Sequence, residues 1–63
     1  MDKQTIELSG VIVRETALAI LFSDGIVEEW LPKSQIEIGD PDPKSGLVEI
    51  ECPEWLAENK GFI

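Results

Sequence analysis

The most reactive side chain in this sequence is the thiol of its one cysteine, Cys52. The chain has no histidine and no tyrosine, and no basic residue adjoins Cys52 to lower the pKa of the thiol. A helix that begins just after it would favour the thiolate, but the simpler prediction is a buried structural thiol. The serines also lack a histidine base, and Lys33 beside Ser34 does not by itself make a Ser–Lys dyad. The sequence therefore predicts no enzyme and no catalytic residue.

An acidic loop, Asp40-Pro41-Asp42 followed by Ser45, superficially resembles a calcium-binding loop. An EF-hand loop needs Asp or Asn at alternate positions, then a glycine and a later glutamate. Here Lys44 takes the third ligand position, and two prolines constrain the backbone. A single cysteine without histidine also excludes a mixed zinc site. We therefore predict a solvated turn with no metal and no cofactor, with weak adventitious binding of Ca²⁺ or Mg²⁺ as the alternative.

Trp30 and Trp55 are the residues that a binding surface would use, because tryptophan is enriched in interface hot spots. In a small domain the same residue is an efficient core filler. Trp55 falls in a C-terminal helical segment and is predicted in the core. Trp30 follows Glu28 and Glu29 and shares a strand face with Glu28, which predicts a position at the rim of the core.

The segment Trp30–Ile36, WLPKSQI, joins two predicted strands at a corner. Pro32 cannot donate a ladder hydrogen bond, and the two residues after it suit an exposed turn. Leu31 and Ile36 are predicted to face the core on either side of this corner. The residues that this structural role leaves unexplained, together with the adjacent acids, form the predicted protein-binding site: Trp30, Lys33, Gln35, Glu28 and Glu29.

Apolar and polar residues alternate along most of the chain, and this period of two predicts β-strands. We predict strands over residues 4–14, 17–22, 26–31, 35–38 and 47–51, and a helix over residues 54–60. Gly10 marks a bend or bulge in the first strand, and the second strand, apolar on both faces, suits a central position. Asp24-Gly25 predicts a hairpin in which both turn residues tolerate positive φ. Residues 39–46 predict a loop, and Val48 and Ile50 are predicted to point inward.

Pro53 suits the first turn of the predicted helix, and Lys60 with Gly61 suits its end. Three apolar side chains would pin this helix onto an open end of the sheet: Trp55, Leu56 and Phe62. The sequence thus predicts one small β domain over residues 1–63, built as a small curved antiparallel five-stranded sheet or an SH3-like barrel with a short C-terminal helix. A flat sheet covered by the helix is the alternative. Such a sheet leaves edge strands, through which a homodimer can form.

Charge is the strongest compositional signal, because thirteen Asp and Glu against five Lys and Arg give a net charge of −8. The basic residues are scattered along the chain: Lys3, Arg14, Lys33, Lys44 and Lys60. No basic stripe is present, which argues against direct nucleic-acid binding and against anionic membrane surfaces. The acidity either keeps a small domain dispersed in solution or offers a negative surface to a basic partner. We favour the first interpretation.

Nothing in the sequence predicts export or a membrane anchor. The N-terminus lacks the basic start and apolar run of a signal peptide. The longest apolar run, residues 17–22, is too short to span a bilayer, and a lone cysteine fits a reducing compartment. The sequence therefore predicts a cytoplasmic protein.

Two strings, WLPKSQI at Trp30–Ile36 and PEWLAENKGFI at Pro53–Ile63, resemble a group of small proteins encoded in bacteriophages and prophages. The similarity runs from about Glu15 to the C-terminus, except for the loop at residues 39–46. Because that group has no established activity, the resemblance implies no catalytic residue. It implies a short cytoplasmic protein, often of viral origin, that acts by contact with something larger.

The function that the sequence favours is a non-catalytic acidic interaction module that binds a protein partner through the Trp30–Ile36 surface and nearby acids. One alternative is a phage counter-defence inhibitor that imitates a nucleic acid. Its affinity would fall steeply with salt and on charge reversal of Glu28 and Glu29. A second alternative is a single-stranded nucleic-acid binder that stacks bases on aromatic side chains. The negative charge of the chain argues against it. The third alternative is a purely structural homodimer.

Overall fold

The alternating residues form five strands in a computed structural model that describes residues 4–63. The elements in chain order are β1 (Thr5–Glu15), β2 (Ala19–Ser23), β3 (Glu28–Pro32), a 3₁₀ turn (Lys33–Gln35), β4 (Glu37–Pro41), β5 (Val48–Pro53) and α1 (Glu54–Lys60). All strand pairs are antiparallel, in the order β3-β2-β1-β5-β4. The predicted mainly β fold, a curled sheet with a short C-terminal helix, is confirmed. The sheet stays open, with β3 and β4 as its two edges, and does not close into a barrel.

The long strand β1 belongs to both halves of the sheet. Residues 5–10 pair with β5, and residues 11–15 pair with β2. The partner changes at Gly10, where a Cβ atom would lie 2.1 Å from the backbone oxygen of Ser23. The register shift lies between Ile12 and Arg14. The sequence therefore predicted an irregularity in β1, but the register shift lies after Ile12 and not at Gly10.

The hairpin between β2 and β3 forms as Asp24-Gly25 predicts, with its turn displaced by one residue. The Asp24 N–H donates to the Val27 carbonyl over 3.1 Å, so Gly25 and Ile26 are the two central residues. Gly25 alone carries the positive φ, 99°, and Asp24 acts through its side chain instead. Its carboxylate accepts the N–H groups of Ile26 and Val27 at 2.9 and 2.8 Å. An Asx-type turn therefore replaces the predicted turn with two positive φ values.

The core lies on the concave face of the sheet, between its two halves and the C-terminal helix. It consists of eight buried side chains: Ile20, Phe22, Leu31, Val48, Ile50, Cys52, Leu56 and Ala57. The inward positions predicted for Leu31, Val48 and Ile50 are confirmed, and Ile36 packs against the cluster from its edge. Period-two patterning therefore located the buried face of two strands, β3 and β5, correctly.

The helix packs on the sheet through two of its three predicted residues, Leu56 and Phe62, and through Ala57 in place of Trp55. Leu56 and Ala57 are buried, and the Phe62 ring meets Phe22 edge-on with centroids 5.8 Å apart. Trp55 was predicted in the core, but 54 % of its surface is exposed. Successive helical residues are about 100° apart, so a helix that turns residues 56 and 57 toward the sheet turns Trp55 away.

The second strand is shorter than predicted and packs on one face only. The Thr16 hydroxyl accepts the N–H groups of Leu18 and Ala19 at 3.3 and 3.0 Å. This local turn holds Ala17 and Leu18 outside the strand, and Leu18 is 80 % exposed. The prediction of a strand over residues 17–22 with both faces covered was therefore wrong at its start and on its outer face.

The fourth strand begins later and ends later than predicted. Residues 33–35 form the 3₁₀ turn, so pairing restarts at Glu37. Gly39–Pro41, predicted as loop, continue β4 beyond a register shift between Ile38 and Pro41. Proline is tolerated there because β4 is an edge strand. The remaining loop is closed by the Asp42 N–H, which donates to the Leu47 carbonyl over 2.8 Å.

Candidate functional site

The outer surface of the β1–β2–β3 half carries the exposed tryptophan that the sequence singled out. Arg14 lies opposite Leu21, and Leu21 lies opposite Trp30, so the three side chains form a row across three strands. We call this row the Trp30 face. Trp30 is 40 % exposed and Leu21 is half-buried. The Trp30 face therefore presents an aromatic and an aliphatic side chain to solvent beside a cation.

The two predicted acids next to Trp30 lie on opposite sides of the sheet. Glu28 is opposite Ser23 and two residues from Trp30, on the same outer surface. Glu29 is opposite the buried Phe22 and lies on the core side, half-buried at the rim. Because strand side chains alternate, the two carboxylates enclose the edge of β3 from both faces rather than forming one acidic patch.

Lys33 and Gln35 are directed to other partners. The Lys33 ammonium pairs with the Glu15 carboxylate over 2.5 Å. Gln35 lines a shallow depression with Glu37, Glu51 and Pro53, to which Trp30 does not contribute. The structure therefore brings together only Trp30 and Glu28 from the predicted set. Glu29 lies on the opposite face of β3, Lys33 is paired with Glu15, and Gln35 lines a depression to which Trp30 does not contribute.

The free edge of β3 is a feature that the sequence did not reveal. Hydrogen bonds join Asp24 to Val27 and Lys33 to Leu18 at the two ends of the β2–β3 ladder. Because bonded and non-bonded pairs alternate in an antiparallel ladder, the N–H and C=O groups of Glu28 and Trp30 point away from β2. Pro32 has the same phase, so the N–H that it lacks is one that would have pointed outward. Pro32 therefore lies within β3 at no cost to the ladder.

A row of acids occupies the outer surface of the other half of the sheet. Glu7 lies opposite Glu51, and Glu51 lies opposite Glu37. All three are exposed, and the Thr5 hydroxyl donates to the Glu51 carboxylate over 3.2 Å. We call these three glutamates the acidic row. No spacing rule in the sequence indicates it, because its members come from three strands that are distant along the chain.

The acidic row predicts a stabilising substitution, Glu51→Gln. Like charges directly opposite one another destabilise a sheet, and each cross-strand pair changes stability by roughly 0.2–1 kcal/mol. Glu51 takes part in two such pairs, so we expect urea unfolding to show a gain of about 0.5–1 kcal/mol. Glutamine keeps the oxygen that accepts from Thr5. The matched control is Glu58→Gln on α1, which changes the net charge equally; an equal gain there would show that the row itself has no effect.

The residues considered for metal binding and for thiol chemistry take part in turn hydrogen bonds or are buried in the core. The Asp42 carboxylate accepts from the Lys44 N–H at 2.9 Å and the Ser45 hydroxyl at 3.1 Å. Within residues 4–63, no three Cys, Asp or Glu side chains converge closely enough to hold a metal ion. Cys52 lies in β5 with 1 % of its surface exposed, and burial raises the pKa of its thiol. The thiol therefore stays protonated at neutral pH.

The two turn aspartates predict a measurable acid dependence of stability. Backbone N–H groups lower the pKa of Asp24, and the Lys44 N–H and the Ser45 hydroxyl lower that of Asp42, from an ordinary value of 3.8. A lowered folded-state pKa means that the stabilisation is present above about 3.8 and is lost as pH falls through the lower folded value.

Urea titrations between pH 6 and 2.5 test this dependence with Asp24→Asn and Asp42→Asn. Asparagine still accepts a hydrogen bond but does not titrate, so each variant should lose less stability on acidification than the wild type. Asp40→Asn is the control, because no hydrogen bond to its carboxylate occurs in the described part of the chain. Equal acid slopes for all four proteins would contradict the expectation.

Comparisons of the chain with protein-family models, with curated proteins and with solved structures find no match. No helix among the described residues is long and apolar enough to cross a membrane. The fold and the surfaces define a small mainly β protein, a curled open sheet with two exposed edges, an aromatic face on one half and an acidic row on the other.

Proposed function

We propose that this protein is a non-catalytic interaction module that binds a protein partner through the Trp30 face. The observation that supports the proposal most directly is the exposure of Trp30, 40 % of whose surface meets solvent while the core is completed without it. Tryptophan carries large interface energies because it buries much apolar area with little loss of conformational freedom. We place its action in the cytoplasm and assign it no cofactor.

The neighbours of Trp30 suit a contact surface. Leu21 extends the apolar area on one side, while Arg14 and Glu28 supply charged groups at its margin. An apolar centre with a polar rim is the usual arrangement of a protein interface. Lys33 contributes less than the sequence suggested, because its ammonium is already paired with Glu15.

The test is affinity capture from cells of the organism that carries the gene, followed by affinity measurement with the purified partner. We expect Trp30→Ala to weaken binding by about 30-fold or more, since hot-spot residues contribute about 2 kcal/mol or more. Trp55→Ala is the matched control, because Trp55 is similarly exposed on α1, outside the Trp30 face. Both variants should keep the wild-type circular dichroism spectrum. Equal capture by all three proteins would remove the role assigned to Trp30.

A second candidate function, an inhibitor that imitates a nucleic-acid backbone, draws support from the acidic row. Three glutamates in adjacent strands present repeated negative charge on one surface, and the whole chain carries −8. Such a protein would bind a basic groove with an affinity that falls steeply between 50 and 200 mM salt. Replacing Glu7, Glu37 and Glu51 with lysine should then abolish binding, whereas Trp30→Ala should leave it unchanged. The opposite pattern identifies the Trp30 face as the binding surface.

A further inference from the structure

We infer that the partner adds a β-strand to the free edge of β3, and that this strand is an extended basic segment with an apolar residue opposite Trp30. The inference rests on the proposed function, because it specifies how the Trp30 face is recognised. It commits to backbone pairing as the source of affinity and to lysine or arginine as the charged side chains of the partner.

Of the two sheet edges, β3 has the more regular backbone for pairing with an added strand. Its five residues pair with β2 in unbroken register, so its outer edge follows a regular path. The opposite edge, β4, has a register shift between Ile38 and Pro41, and bulges prevent regular pairing. β3 also contains a proline, Pro32, but it stands at the end of the strand, after the outward N–H groups of Glu28 and Trp30. A partner strand would find regularly spaced backbone groups only on β3.

The outer edge of β3 carries backbone N–H and C=O groups that do not take part in the β2–β3 ladder. Glu28 and Trp30 point their N–H and C=O groups outward, and Pro32 adds a third carbonyl. Within residues 4–63, no hydrogen bond reaches these N–H groups from another loop or side chain. Strand addition satisfies such groups, and the side chains that alternate along the edge then provide specificity.

Charge complementarity specifies the partner's composition. Glu28 lies on the outer surface and Glu29 on the core side, so both faces of an added strand would meet a carboxylate near the start of β3. Two residues further, Trp30 offers an apolar contact on the outer surface. Because side chains two apart share a face, the matching segment carries lysine or arginine two residues from an aliphatic residue. A second copy of this chain fits less well, because each copy carries −8.

The first experiment is selection of a random heptapeptide display library against the immobilised protein. We expect the enriched peptides to contain lysine or arginine two positions from valine, isoleucine or leucine, without proline between them. Enrichment of peptides that lack basic residues, or no enrichment at all, would overturn the inference.

The decisive variants are Glu28→Pro and Glu28→Ala, measured with the best selected peptide. Both remove the carboxylate, but only proline also removes the outward N–H, and it leaves the bonds to β2 intact as Pro32 does. We expect Glu28→Pro to bind about 3- to 10-fold more weakly than Glu28→Ala, the net value of one hydrogen bond. Unfolding curves check that both variants fold. Equal affinities would exclude pairing through this edge.

Amide hydrogen exchange of the wild-type protein supplies a readout that needs no variant. The backbone N–H groups of Glu28 and Trp30 should exchange at least about 10-fold more slowly when the peptide is bound. Unchanged exchange would show that the peptide binds elsewhere. Light scattering at micromolar concentration tests the second copy, and a dimer lost in Glu28→Pro would replace the basic segment as the occupant. If these tests fail while capture still depends on Trp30, the proposed function stands and strand addition does not.

Discussion

Replacing Gly10 with alanine is expected to destabilise the protein by about 3 kcal/mol or more, among the largest effects available to a single methyl group. The added Cβ would lie 2.1 Å from the Ser23 carbonyl oxygen and 2.9 Å from the Phe22 ring. The nearer atom belongs to backbone, so the strands must separate where β1 changes partners. Alanine suits a strand better than glycine by about 0.5–1 kcal/mol, which is too small to offset this clash.

Two controls separate the steric explanation from a conformational one. Ser9→Ala tests an exposed neighbour in the same strand and should be neutral in urea unfolding. Gly25→Ala tests positive φ in open space, because no atom lies within 4 Å of its Cβ position, and should cost only about 1–2 kcal/mol. If Gly10→Ala costs no more than Gly25→Ala, close strand approach does not explain the glycine at position 10.

Replacing Phe22 with alanine is expected to lower the free energy of unfolding by about 3–5 kcal/mol, as measured by urea unfolding at 25 °C. Phe22 is fully buried; its ring lies next to Gly10 of β1 and meets the Phe62 ring near the C-terminus. Truncation of a buried phenylalanine costs about 3–5 kcal/mol. A domain of this length has a total stability of about 3–9 kcal/mol, so the loss removes from about a third to all of it.

Phe22→Leu and Leu18→Ala complete this test. The leucine variant keeps most of the apolar volume and should lose less stability than the alanine variant, and its transition remains measurable. Leu18→Ala removes a side chain that is 80 % exposed and should be neutral. A cooperative unfolding transition of wild-type midpoint in Phe22→Ala would contradict the central position of this ring.

The features that the sequence predicted are those that depend on neighbouring residues in the chain. Alternation placed Leu31, Val48 and Ile50 inward, and the Asp24-Gly25 pair located the hairpin. The helix spans Glu54–Lys60, the range predicted from its proline and glycine signals. Each of these inferences uses information within a few residues, which a single sequence contains.

The features that the sequence missed depend on strand register and on the choice of buried face. The acidic row requires knowing which residues of β1, β5 and β4 are opposite one another. The outward direction of the Trp30 N–H depends on the phase of the β2–β3 hydrogen bonds. Trp55 was misplaced because Leu56 and Ala57 compete successfully for the face of α1 that meets the sheet. None of these relations is local in the chain.

Because Cys52 is buried, the rate at which a reagent modifies its thiol measures how often the surrounding structure opens. It is the only thiol in the chain, and in β5 it pairs with Ile6 of β1, two residues before α1 begins. A disulfide reagent in solution can modify it only when this region opens, because the thiol is otherwise enclosed and protonated. The reagent's rate of consumption, measured at several concentrations, therefore reports the opening equilibrium of the C-terminal half. The opening equilibrium of the wild type and of each variant can therefore be compared without an added label.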